Sequence, residues 1–488
     1  MSNRSTPASS GFMWATVSQA GRIVVQLVMV AVLSRLLPPA DFGLLAMATV
    51  VTTFAGLLRD MGTSAAVIQR DELQGELLDT IFWFNVYLGI ALAVVLALLA
   101  TAIAGAFREP RLAGVLLALS MTFPAVSSGA VHQSLLERAL RFRTLARIEL
   151  TSVSLAFAVA AIAASYGMGV YSLALNAVAT AVFASIQLFL ASKWRPSWRW
   201  SVHEFRSLIR FSGNLFGFQS LNYFARNADT MLIGRYLGAV DVGWYNMGYR
   251  VMLFPLSTLS AVIARVLFPV LSRRQADIPA FASLYLKAVS AVAAVTAPLM
   301  AGVWVLRVPF VAVFLGPRWS PVADVLEWFA PVGLIQSVLT TVGLIYMATG
   351  NTRAMLLWGV FSSAATVAGM AVGLHWGFLG VARCYALVSL LLTYPAFAIP
   401  LKFIGLGFMD ILGAVWRQLL TAVLMAGVLF GLQRLLGDTV APGSSLILLT
   451  VAGAAAYLLL GLVLMRSTLT GILGQLVPAF GGRVVRQC

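Results

Sequence analysis

Four arginines, Arg22, Arg226, Arg250 and Arg383, stand inside runs of residues that are otherwise almost wholly apolar. A charged side chain near the middle of a bilayer costs roughly 2.5–3.5 kcal/mol on insertion scales, so it is kept where it faces water, a partner or a ligand. The carboxylate of Asp229 cannot neutralise all four. A surplus of guanidinium suits an anionic ligand, because its planar fork meets phosphate oxygens with two parallel bonds. Neutral hydrogen-bonding groups share these runs: Gln26 lies four residues after Arg22, and Asn222 four before Arg226. These six residues are the expected substrate contacts. Asp229, three residues after Arg226, keeps two readings open. It either forms a self-neutralising i, i+3 pair with Arg226, or takes a proton and releases that arginine, which would make it an ion-coupling residue.

Bond-breaking chemistry has no foothold in the chain. It holds no Walker-type phosphate loop, no H-E-x-x-H and no nucleophile elbow in a strand–turn–helix setting. A non-enzyme is expected, driven by an ion gradient or by the gradient of its own substrate. The two cysteines, Cys384 and Cys488, make neither a disulfide framework nor a metal cluster, so no metal and no cofactor is expected.

The elements that position these residues follow from composition. Of 488 residues, 60% are hydrophobic and 10% charged, against about 25% charged in soluble domains. So few charges cannot cover a soluble protein of this length, and the apolar runs reach the roughly 20 residues that a membrane helix needs. An all-α polytopic membrane protein is predicted. Fourteen helices are expected near 12–35, 41–68, 78–105, 112–136, 145–166, 169–192, 208–236, 241–271, 281–306, 322–349, 352–374, 378–401, 413–436 and 445–465. The polar N-terminus, followed by a run that Arg22 interrupts, does not read as a cleaved signal, so the first helix is expected to stay.

Basic residues orient the chain. With a cytoplasmic N-terminus, 19 of the 33 Lys and Arg fall in cytoplasmic loops and tails, 7 on the opposite side and 7 inside helices. Both termini are therefore expected in the cytoplasm. The net charge of +16 is mostly this topology signal. Its dispersal among short loops speaks against nucleic-acid binding. In "KWRPSWRWSVHEFR", Lys193 to Arg206, tryptophan alternates with basic residues. That pattern fits a helix or turn at headgroup depth.

One corner is written twice. "LSRLLPPADFGLLAM" (33–47) and "IGRYLGAVDVGWYNM" (233–247) share Arg35/Arg235, Leu37/Leu237, Asp41/Asp241, Gly43/Gly243 and Met47/Met247 without a gap, and the register continues to Phe54/Phe254. The 200-residue offset spans six helices, an even number, so both copies enter the membrane in the same direction. Two parallel six-helix lobes around a midplane site are expected, with residues 1–206 as the first lobe and 193–206 as its interfacial linker. Residues 207–405 form the second lobe, and 406–488 hold two extra helices and a cytoplasmic tail. Asp41 and Asp241 stand where helix N-caps belong, and capping accounts for their position better than ion binding. The same register places Arg22 on Asn222 and Gln26 on Arg226, so polar residues recur on the leading helix of both lobes. That is the pattern of helices facing each other across an aqueous cleft. The seventh segment is the most polar, adding Asn214 and Gln219.

The stretches "SRLLPPADFGLLAM", "LLRDMGTSAAVIQR" and "LLDTIFWFN", then "LIGRYLGAVDVGWYNMGYRVMLFPLSTL" and "LFPVLSRRQAD", carry a resemblance. The chain resembles the polysaccharide flippases of the multidrug/oligosaccharidyl-lipid/polysaccharide exporter superfamily, in particular the Wzx-type branch that includes the colanic acid exporters. The similarity covers most of residues 12–290 and fades beyond. It implies a fourteen-helix, two-lobed transporter in the bacterial inner membrane, which flips undecaprenyl-pyrophosphate-linked oligosaccharide repeat units to the periplasmic leaflet during surface or exopolysaccharide synthesis. Membrane lipids, a polymerase and chain-length-control proteins are the partners so implied. An ion-coupled drug or metabolite antiporter of the same superfamily would favour acids and aromatics in its cleft over arginines. A lipid II flippase is a near relative, set aside only by the resemblance to the other branch. A membrane polysaccharide polymerase or ligase needs a large periplasmic loop, and the loops here are short.

Overall fold

In the computed structural model, residues 7–59, 67, 75–201, 220, 222–253, 277–437 and 440–465 are described, with side chains from residue 21 onward. All regular structure among them is helical. A helix stands at each of the fourteen predicted positions. The first half contains α1 (Pro7–Leu36), α2 (Pro39–Arg59), α3 (Gly75–Phe107), α4 (Arg111–Ser120), α5 (Thr122–Arg138), α6 (Phe142–Ser165), α7 (Val170–Ala191) and α8 (Ala228–Tyr236). There follow α9 (239–253), α10 (Ile278–Phe314), α11 (Pro321–Leu339), α12 (Val342–Ala348), α13 (Thr352–Gly373), α14 (Gly377–Leu401), α15 (Phe408–Leu436) and α16 (Pro442–Leu464). Asn214, Gln219 and Phe254 lie outside the described residues, as do residues 202–206 of the linker.

The two labels beyond fourteen come from breaks inside single crossings. Ser120 and Thr122 flank Met121, which divides Arg111–Arg138, and Thr340–Thr341 divide Pro321–Ala348. Hydropathy runs straight through such breaks and gives no sign of them. Ten spans among the described residues are long and apolar enough to cross a bilayer, one of them the 53-residue stretch Thr352–Ile404 that holds α13 and α14.

The chain forms two compact units, Met1–Gly243 and Trp244–Cys488. In the first, α6 and α7 form a hairpin, α1 lies on α6, and α3 packs on α4 and α5. The seams are lined by small residues, among them Ala156 and Ala160 of α6 and Ala174 of α7, all essentially inaccessible. Close backbone approach through small residues is how helices associate where lipid removes the hydrophobic drive between them. In the second unit, α10 is the hub for α11, α15 and α16. Its polar positions are satisfied internally: Ser337 Oγ donates to Thr296 Oγ1 at 2.9 Å, and Tyr285 and Thr341 hydroxyls bond at 3.0 Å. The two extra helices are tied to the same hub, since Tyr457 of α16 donates to Ala294 O at 2.8 Å and Gln418 of α15 bonds Ser290 at 2.6 Å.

The repeat divides the sequence at 206/207, whereas packing divides the chain at 243/244. The physical reason is that residues 222–236 lie along α2 and α3. Tyr223 donates to Val50 O at 2.7 Å, and Phe54 packs on Phe224 with ring centroids 4.7 Å apart. The Trp- and Arg-rich stretch after α7 takes an irregular, non-helical path through its described residues, 192–201.

Candidate substrate-binding site

Arg22 is not an uncompensated cation. Its Nη1 donates to Glu149 Oε1 of α6 at 2.8 Å, and the two side chains are 43% and 42% exposed. The pair ties α1 to α6 and cancels one charge of the expected surplus. Gln26, one turn further along, is exposed.

Asn222 and Arg226 are also exposed, one turn apart on one helical face. Arg226 has no ion-pair partner among the described residues. The Arg226–Asp229 pair, one of the two readings of Asp229, is not among the ion pairs of the described residues, and the helix breaks between the two. Asn227 leaves the helical conformation, at φ −113° and ψ 10°, its side-chain amide donates to Tyr223 O at 2.8 Å, and α8 starts only at Ala228. Asp229 is thereby turned inward, 4% exposed, and its Oδ1 accepts from Thr230 N at 2.6 Å.

The repeated corner shows a purpose that capping does not supply. Asp41 lies in the first turn of α2, where a carboxylate suits the helix dipole. Instead of bonding the backbone as an N-cap, it accepts from Arg111 Nη2 at 2.9 Å. Asp41 is 3% exposed by its side chain and Arg111 59%. Gly169, at φ +56°, closes over the carboxylate, and a Cβ there would stand 3.3 Å from Oδ2. Asp41 thus joins α2, α4 and the turn leading into α7. Removing Arg111 leaves a buried carboxylate without its counter-charge. Arg111→Ala should lower the stability of the detergent-solubilised protein by roughly 1–3 kcal/mol. A thermal unfolding series that includes Asp41→Ala and the double variant checks this, since the double should cost less than the sum of the singles. Strict additivity would show that the pair does not couple. Asp241, the third residue of α9 as Asp41 is of α2, is partly buried and has no ion-pair partner among the described residues.

Gly43 and Gly243 sit between the two copies. A Cβ on Gly43 would overlap the carbonyl oxygen of Ala239, and a Cβ on Gly243 would overlap that of Pro39. Ala239 and Gly243 are the repeat counterparts of Pro39 and Gly43. The contact is therefore reciprocal, and the starts of α2 and α9 cross backbone to backbone about a local pseudo-twofold. Gly238, at φ +98°, makes the turn that delivers α9 to this crossing.

In the second unit, Arg250 is exposed on α9 beside Tyr249. Tyr249 packs on Phe329 and Tyr385 with ring centroids 5.9 and 6.4 Å away. Arg383, exposed on α14, lies 5.7 Å from the ring centroid of Trp328. The Tyr385 hydroxyl accepts from Gln336 Nε2. Tyr249 of α9, Phe329 of α11 and Tyr385 of α14 thus form one aromatic cluster; Arg250 follows Tyr249 in the chain and Arg383 lies against Trp328, neither with an ion-pair partner among the described residues. Tyr249, Trp328, Tyr385 and Gln336 are absent from the sequence-based set; an aromatic residue adjacent to, or two positions from, an intramembrane arginine is the signal that points to Tyr249 and Tyr385, and no such signal marks Trp328 or Gln336. Among the described residues no group of His, Cys, Asp or Glu could hold a metal ion.

This arrangement sets cations beside aromatic faces among the described residues. Residues 32–324, more than half the chain, match the polysaccharide biosynthesis protein family. The chain belongs to that family. Within it, relatives include the lipopolysaccharide biosynthesis protein WzxC of Escherichia coli K12, 28% identical over 416 residues, covering 84% of this chain and 82% of that protein. The succinoglycan biosynthesis transport protein ExoT of Rhizobium meliloti 1021 is 28% identical over 464 residues, 94% of each. Among solved structures, the lipid II flippase MurJ in its inward closed conformation superposes with a TM-score of 0.75 at 14% identity, covering 94% of this chain and 100% of that one. At that identity the likeness establishes the fold, a polytopic transporter fold. The family match encloses both corners, Arg226 and Arg250, while Arg22 and Arg383 lie outside it.

Proposed function

We propose that this chain flips undecaprenyl-pyrophosphate-linked oligosaccharide repeat units from the cytoplasmic to the periplasmic leaflet of the bacterial inner membrane. The observation that carries the reading is the family match over residues 32–324. The names of the relatives, in lipopolysaccharide and succinoglycan biosynthesis, support a polysaccharide pathway, and the transport function named for ExoT supports movement rather than synthesis. The MurJ-like fold is compatible with a lipid-linked cargo.

The chemistry of the arginines supports an anionic ligand. Arg226, Arg250 and Arg383 are exposed without ion-pair partners among the described residues, and a pyrophosphate presents oxygens that their forks can grip in pairs. Trp328 and Tyr249 offer flat apolar faces suited to the carbon-bound face of a sugar ring. In this reading the lobes 1–206 and 207–405 alternate access to the ligand by rocking, and 406–488 is an appendix. Both termini are cytoplasmic, and a polymerase with its chain-length regulator takes the delivered unit.

Deletion of the gene in a strain without redundant flippases tests the reading. Surface polysaccharide should be lost while lipid-linked repeat units collect on the cytoplasmic leaflet. Undiminished polymer export would sink it. Reporter fusions at residues 3 and 488 should both respond as cytoplasmic and one near Pro110 as periplasmic; a periplasmic C-terminus would overturn the topology.

A further inference from the structure

Residues 192–201 contain no helix, yet they are fixed from beneath by buried groups. Ser197 N donates to Asp79 Oδ1 at 2.9 Å and Ser201 N to Thr80 Oγ1 at 3.0 Å. Asp79 is 3% exposed and Thr80 fully buried. Trp83 Nε1 donates to Ser197 O at 2.9 Å. Trp194 folds inward onto Phe82 and His132, with ring centroids 5.8 and 5.3 Å away. Arg195 turns back on the end of α7, donating to the carbonyls of Phe189, Ser192 and Trp194 and lying 4.3 Å over the Phe189 ring. A segment without secondary structure has thus been given a defined shape, at the cost of committing a buried carboxylate to it.

Its outer side is the reverse in character. Trp198 stacks on Trp83 at 3.8 Å and 19° and remains 79% exposed, and Trp200 is 44% exposed. Lys193 and Arg199 are exposed there too, and Arg141, just before α6, donates to the carbonyl of Ala191, the last residue of α7 before the strap, at 3.3 Å. Lys193, Arg199 and Arg141 have no ion-pair partner among the described residues. Indole rings held open to solvent are unfavourable in water and at home at the depth of lipid headgroups and glycerol. Cations in the same plane attract anionic headgroups.

We propose that this strap is a binding site for the headgroup of an anionic phospholipid. Lys193, Arg199 and Arg141 contact the phosphate, and the Trp83–Trp198 stack packs against the glycerol and the first acyl carbons. The strap uses none of the arginines assigned to the transported ligand, so it concerns the bilayer rather than the cargo. Arg195 and Trp194 are its internal supports and touch no lipid.

Native mass spectrometry of the full chain, titrated with phosphatidylglycerol or phosphatidylcholine, tests the proposal. Lys193 and Arg199 make no side-chain bond among the described residues, so the Lys193→Gln/Arg199→Gln variant should fold and keep its thermal midpoint in neutral detergent. It should bind phosphatidylglycerol roughly 30-fold more weakly, the loss that corresponds to about 1 kcal/mol for each basic residue at a charged surface. Phosphatidylcholine binding should not change, and Trp198→Ala should weaken both lipids. Equal retention of the two lipids by the unaltered protein would overturn the proposal, as would an unchanged preference in the double variant. Displacement of phosphatidylglycerol by inorganic pyrophosphate at equal concentration would also overturn it, by marking the site as one for the pyrophosphate of the cargo.

Discussion

Replacing Gly43 or Gly243 by alanine should destabilise the protein more than the same change at any glycine with open space around it. The added methyl meets main-chain carbonyl oxygens, Ala239 O in one case and Pro39 O in the other, and no side-chain rotamer can move out of its way. Overpacking of this kind costs typically 1–3 kcal/mol, and a backbone obstacle places these two at the upper end. The reciprocity makes a sharper prediction. Once the first methyl has forced α2 and α9 apart, the second enters a gap already opened, so the double variant should lose clearly less than the sum of the singles. Gly302 and Gly359 are helical, and a methyl added at either would meet nothing within 4 Å. Alanine there should be neutral or stabilising by up to about 1 kcal/mol, because it removes backbone freedom from the unfolded chain. Thermal unfolding of the purified variants in one detergent decides the matter. A Gly43→Ala protein as stable as the parent would mean that the crossing is looser than the structure has it.

What is legible in the sequence is periodic or local. Unbroken apolar runs place the fourteen helices, because a membrane span announces itself by length and composition alone. The repeated corner is visible as spacing, but its meaning is not. In a chain read one residue at a time, Gly43 and Gly243 look like turn residues, and only the structure shows each lying on the residue four before the other. Asp41 reads as a cap because capping is local; its actual partner, Arg111, is 70 positions away. Glu149 escapes notice for the same reason, being 127 positions from Arg22. The break at Asn227 is hidden because asparagine in an otherwise continuous polar helix carries no proline-like signal. It matters most, since it separates Arg226 from the carboxylate three residues on. The strap after α7 is recognisable as interfacial from its alternation of tryptophan and arginine. That Asp79 and Thr80 fix it cannot be read from residues more than a hundred positions earlier in the chain.

These partnerships reorder the arginines by expected effect. Arg226→Gln and Arg250→Gln should each slow transport by roughly 10- to 150-fold, the loss of one charge-assisted contact worth about 1.5–3 kcal/mol. Arg226→Lys and Arg250→Lys should recover only part of that, because an ammonium keeps the charge and loses the paired geometry. Arg22→Gln is a different experiment. It removes a cation already engaged with Glu149 at 2.8 Å, so that part of the carboxylate's negative charge is no longer offset. If Arg22 serves only that pair, Arg22→Gln/Glu149→Gln should restore transport nearly to the parent level; if Arg22 grips the ligand, the double variant should stay as slow as Arg22→Gln. Asp229 remains the candidate for coupling. It is buried, turned away from Arg226 and in the first turn of α8, so any role it has in proton movement acts through α8 and not by releasing that arginine directly. Transport across an imposed pH gradient separates the roles in well-expressed variants. Asp229→Asn should flatten the pH dependence while leaving binding of the lipid-linked cargo intact, whereas Arg226→Gln and Arg250→Gln should weaken binding at every pH. Full transport by both arginine variants would remove them from the site, and an unaltered pH profile in Asp229→Asn would remove the coupling role alone.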